Sequence, residues 1–217
     1  MSEAKYQQGS ARRARRIGAS VPLTVALLVF AVNACQPALE PGWYGRMQLT
    51  HRVAISSTGG ETGYSEAITS FERRSGPIRV VSTYKERHYY SPPREIAHPT
   101  LPNVVCYLYE VRVDGSTDQV FAQASFSVTP GPPVWRMGAG VAGGGGYDAQ
   151  RTYLATGCPN QTEGAGGWFA GPATWTVPLD QFGQPDLNSA KSICGEMSCG
   201  PGETYDAEWN VYEEDGP

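Results

Sequence analysis

The sequence predicts an all-β fold: a single antiparallel β-sandwich or small barrel of about nine short strands, stapled by disulfides. Two observations carry most of that expectation. Apolar residues recur with period two rather than 3.6 along several segments, and no stretch after residue 42 sustains a helical period. Glycine (26) and proline (17) punctuate the chain between the short strands. A third observation is the set Cys106, Cys158, Cys194 and Cys199, an even number suited to two bridges.

The first strand is the clearest. From Trp43 to Ile55, Trp43, Met47, Leu49, Val53 and Ile55 share one face, while Arg46, Gln48, Thr50 and Arg52 share the other. Such a segment buries one side and wets the other. A turn at 56–63 returns the chain as a second strand from Tyr64 to Arg73, making a hairpin. Further strands are expected at Ile78–Tyr90, Val104–Val113, Val120–Thr129 and Val134–Met137. Arg151–Thr156, Trp168–Val177 and Thr204–Tyr212 complete the set, and Asn188–Cys194 forms at most a turn. Asp114-Gly-Ser-Thr-Asp118 reads as a tight loop between two strands, and Ser91-Pro-Pro93 and the glycines from 143 to 146 read as breaks.

The first 34 residues read as an address instead. Arg12, Arg13, Arg15 and Arg16 precede an uncharged run from Val21 to Val32, which as a helix would rise only ~18 Å against a hydrocarbon core of ~30 Å. A basic flank, a short apolar run and small residues at its end describe a secretory signal. Val32-Asn33-Ala34-Cys35 resembles the lipobox of bacterial lipoproteins. The resemblance implies cleavage before Cys35, diacylglyceryl and further acyl chains (palmitate among them) on Cys35, and a membrane-anchored protein outside the cytoplasm. The chain is then organised as a signal peptide (1–34), a lipidated tether (35–42) and an extracytoplasmic β domain (43–217). Gln36 replaces the aspartate that resembles an inner-membrane retention signal, which favours the outer membrane in a Gram-negative cell. The paired arginines also resemble a twin-arginine signal, without the residues that normally follow.

Without the leader, which holds Lys5 and the four arginines against Glu3, 183 residues remain with 12 basic and 20 acidic side chains. From Val113 onward three basic residues face thirteen acidic ones. Nucleic acid and broad anionic lipid surfaces are poor partners for such a body. Cys194 and Cys199 are close enough to bridge locally, which leaves Cys106 to meet Cys158.

Catalytic signatures are absent. His51, His88 and His98 are the three imidazoles, with His51 on the apolar face of the first strand as a core histidine and His88 near a strand end. There is no Gly-x-Ser-x-Gly elbow, no His-Glu-x-x-His pair and no phosphate loop in the glycine run. Asp114, Ser116 and Asp118 have calcium-loop spacing but lack the glycine and the bidentate glutamate that complete it. No metal and no cofactor is expected. Trp168 and Phe169 are adjacent, so on a strand one of them must face outward, and they are the candidate binding surface. The resulting expectation is an anchored, non-catalytic protein that binds a protein or a glycan or supports the envelope. The alternatives are a hydrolase using Asp206 and Glu208, and a small-ligand carrier, since Gly42-Trp43 resembles the opening of a lipocalin.

Overall fold

The computed structural model describes residues 42–131, 134–143 and 145–214. The leader, Cys35 and the tether as far as residue 41 lie outside the described residues. Eleven strands and one short helix are present among them. In chain order they are β1 (Gly42–Ser56), β2 (Glu61–Arg73), β3 (Arg79–Ala97), β4 (Val105–Val120), β5 (Ala124–Thr129) and β6 (Arg136–Val141). β7 (Gly146–Thr156), β8 (Gln161–Trp168), β9 (Ala173–Thr176), β10 (Asn188–Ser192), α1 (Cys194–Met197) and β11 (Glu203–Glu214) follow.

Eight strands form one antiparallel sheet in the order β10-β11-β1-β2-β3-β4-β7-β8, and β5-β6-β9 form a second, smaller one. The sandwich expectation holds and the barrel does not, because β10 and β8 are free edges rather than neighbours. The small sheet lies on the face of the large one that carries Met47, Leu49, Phe71, Val80, Trp209 and Val211. Trp175 of β9 meets Trp209 of β11 at 5.8 Å, and Met137, Ala139 and Val141 of β6 fill the space beside them. The alternation read in β1 and β11 is therefore the imprint of one covered face.

Both disulfides pair as their spacing suggests, Cys106 with Cys158 and Cys194 with Cys199. The first spans 52 residues and the second 5. On loop entropy alone they contribute about 4 and about 2 kcal/mol.

Five local expectations are corrected. Asp114–Asp118 is not a turn but the second half of β4, and the chain turns after Val120 instead. Its acidic side chains are matched across the sheet by arginines: Arg79 grips Asp118 at 2.7 and 2.6 Å, and Arg87 reaches Asp114 at 2.6 Å. Gly115 stands where a Cβ would come within 2.8 Å of the Ala149 side chain, so it makes room for a neighbour rather than a bend. Ser91-Pro-Pro93 does not end β3; the pairing with β4 slips between Tyr89 and Arg94 and then resumes. Gly164-Ala-Gly-Gly167, which from the sequence reads as a turn or bulge, lies within strand β8, where Gly167 leaves space for the Tyr147 ring that a Cβ would approach to 2.7 Å. Asn188–Ser192 is an edge strand on β11, not a turn. Accordingly, the strand expected at Trp168–Val177 is split between the last residue of β8 and β9.

Candidate functional site

The small sheet covers only part of the inner face of the large one. Along β3, Val80, Ser82, Tyr84, Glu86, His88 and Tyr90 point to that face in turn. The first three are buried and the last three are half-buried. The same change occurs on β2, where Phe71, Thr69 and Ala67 are buried but Ser65, Gly63 and Glu61 are not. Past the cover, β7 adds Arg151 and Tyr153, and β8 adds Glu163 and Gln161.

These side chains form two hydrogen-bonded polar groups, one around His88 and one around Glu163. His88 is held at both ring nitrogens, Nδ1 by Glu61 and Nε2 by Glu86, each at 2.5 Å. Tyr84 donates its hydroxyl to the other oxygen of Glu86. Tyr153 donates to Glu163 at 2.7 Å, and Arg151 donates to the same carboxylate at 3.2 Å. Burial opposes charge on His88, yet the bonds to Glu86 and Glu61 outweigh it and raise its pKa. Burial likewise works against the Glu86 carboxylate, and the bonds from Tyr84 and His88 overcome it and lower its pKa. Glu163 is lowered by its bonds from Tyr153 and then Arg151. The Tyr84 phenol is pushed well up, first by burial and then by Glu86.

Next to these groups lies a cleft of about 430 Å³, lined by Tyr90, Arg94, Leu108, Val111, Tyr153, Gln161 and Glu163 among others. Its size falls within the ~300–1,000 Å³ of small-ligand sites. Leu108 and Val111 form an apolar floor from β4, two tyrosine rings stand over it, and planar polar groups surround it. The Glu86 and Glu163 carboxylates are engaged by cations or hydroxyls and their pKa values are lowered, so these two are poor proton acceptors at pH 7.

The residues singled out in the sequence stand elsewhere. Trp168 and Phe169 do diverge as their adjacency requires: Trp168 is 56% exposed at the end of β8, and Phe169 is buried against Phe121 and Tyr147. Trp168 closes the end of β8 opposite to Gln161 and Glu163, and does not line the cleft. Asp206 and Glu208 lie side by side on the outer face of β11, in a shallow depression with Lys191, Gln48 and Thr50 but no histidine. His51 is half-buried and bonded to Glu203 at 2.5 Å, so it sits at the margin of the core rather than within it. His98 accepts the backbone N–H groups of Thr100 and Leu101 and closes its own loop. Among the described residues no group of His, Cys, Asp and Glu is arranged to hold a metal ion.

The cleft was missed because its residues come from four strands. The available signal was the shared parity of Tyr84, Glu86, His88 and Tyr90, an apolar-to-polar gradient along one strand face. Compared with protein-family models, curated proteins and solved structures, the chain matches none.

Proposed function

We propose that this chain is a lipid-anchored protein of the bacterial cell envelope whose β domain binds a glycan without transforming it. The observation that carries the binding part is the uncovered half of the inner face, with Tyr90 and Tyr153 beside Arg94, Gln161 and Glu163 over an apolar floor. A sugar ring has an apolar C–H face that packs on tyrosine and a rim of hydroxyls that pairs with planar amides, carboxylates and guanidinium groups. Non-catalytic binding is supported by the commitment of His88 and Glu86 to each other and of Glu163 to Tyr153 and Arg151, which ties up the one imidazole near the cleft. The open sheet gives no support to an enclosed carrier, because its edge strands do not meet. The anchored part rests on Val32-Asn33-Ala34-Cys35 and is in keeping with two disulfides, which persist outside the cytoplasm.

The binding claim is tested by titrating the full chain with a panel of envelope oligosaccharides and repeating the best binder on Tyr153→Ala. The expected result is saturable binding weakened by about tenfold, the equivalent of about 1.4 kcal/mol. Binding that survives in both Tyr153→Ala and Tyr90→Ala would remove the cleft from the account. The anchor is tested separately by intact mass. A chain beginning at Cys35 and carrying acyl groups is expected, and these are lost in Cys35→Ala.

A further inference from the structure

The outer face of the large sheet carries a second feature, independent of the cleft. Most cations of this acidic domain are matched to carboxylates: Arg52 with Glu66, Arg79 with Asp118, Arg87 with Asp114, Arg112 with Glu110, Lys191 with Glu196. Arg46 and Arg73 have no carboxylate partner among the described residues, and both line one groove of about 570 Å³. The groove runs where β10, β11, β1 and β2 lie side by side. Arg46 donates to Gln48 at 2.6 Å and to Ser70 at 2.9 Å, which orient its guanidinium without neutralising it. Arg73 lies over the Tyr44 ring at 5.0 Å. Gly45 also lines the groove, with φ +117° and the Asn210 carbonyl oxygen only 2.2 Å from where a Cβ would stand, so no side chain fits there. Asn188 and Asn210 add neutral amides.

We infer that this groove is a binding site for a phosphate group. A carboxylate has two oxygens and is saturated by one guanidinium fork, whereas a phosphoryl group presents a third oxygen to a second fork. The acidic residues nearby narrow the choice further. Glu72 and Glu208 line the groove, and Glu213 and Glu214 pair with Trp43 and Gly42 at the same end of the sheet. They oppose diffuse attraction to a broad anionic surface, so the ligand is one localised phosphate held by hydrogen bonds. Two sources carry that chemistry. One is the phosphomonoester headgroup of a phosphatidic acid, since Gly42 follows Cys35 by seven residues and Arg73 lies beside Gly42. The other is a soluble phosphorylated compound.

The full chain, purified in a neutral maltoside detergent, is titrated calorimetrically with inorganic phosphate, glycerol 1-phosphate and dioctanoyl-phosphatidic acid. Arg46→Gln and Arg73→Gln are each expected to weaken binding at least tenfold, while Arg52→Gln, outside the groove, leaves it within twofold. Arg46→Lys, which keeps the charge and loses the fork, is expected to fall between and decides the matter if a glutamine variant melts early. Binding of the lipid alone assigns a headgroup, and binding of the free phosphates as well assigns a soluble source; either upholds the site. No binding of any probe, or equal affinity in Arg46→Gln, Arg73→Gln and the natural chain, overturns it.

Discussion

Phe71 and Glu61 belong to the same strand and point to the same side of the same sheet, yet one is in the core and the other carries half of a histidine clamp. Their difference is the presence or absence of a second layer. Where β5, β6 and β9 lie over the large sheet, the inner face is Met47, Leu49, Phe71, Val80, Trp209 and Val211. Beyond them it becomes Glu61, Glu86 and His88, bonded together, and Arg151, Tyr153 and Glu163, bonded together. A polar group half out of water is costly unless bonded, and here each has found a partner on its own or a neighbouring strand. The covered half holds the fold together, and the open half is free to bind.

That comparison is broken most severely in the covered half. Trp209 is fully buried, stacks near Trp175 and donates its indole N–H to the Asp186 carbonyl at 2.7 Å. Trp209→Ala is expected to cost about 3–5 kcal/mol in denaturant unfolding, a large part of the stability of a domain this size. A loss below about 1 kcal/mol would show that the two sheets do not depend on each other as described.

In the open half the expected effect is smaller and follows pH. His88 has a folded pKa above its ordinary 6.5, so its contribution is complete below that pH and is lost as pH rises through the higher folded value. Glu86 has a folded pKa below its ordinary 4.5, so its contribution is present above that pH and is lost as pH falls through the lower folded value. The network is therefore strongest between about pH 4.5 and 6.5. His88→Gln is expected to lower stability by about 1–2 kcal/mol near pH 6. It is also expected to flatten the alkaline limb of a plot of Tm against pH. An alkaline limb unchanged in the variant would assign that limb to other groups.

What could be read from the sequence divides along the same boundary. β1 and β11 were legible because a covered face forces strict alternation, as in Tyr205, Ala207, Trp209 and Val211. The pairing of Cys194 with Cys199 was legible from spacing alone. β8 was not, since a strand made of Gln-Thr-Glu-Gly-Ala-Gly-Gly-Trp has few side chains to alternate, and Gly167 answers to a tyrosine on β7. Nor was the second half of β4, because Asp114 and Asp118 look like turn residues until Arg87 and Arg79 stand opposite them. His88 is adjacent in sequence to Arg87 and Tyr89, which point the other way, while its partner Glu61 is 27 residues distant. A site assembled across four strands leaves only parity as its trace.

The division of labour is tested most directly by measuring thermal stability and oligosaccharide affinity of Tyr153→Ala side by side. Tyr153 is half-buried at the cleft and outside the apolar core, so stability is expected to change by no more than about 0.5 kcal/mol while glycan affinity falls about tenfold. The contrary result is a variant that melts like a core substitution, or one that binds as well as the natural chain. Either would mean that the open half of the sheet is not a binding face carried by an independent core.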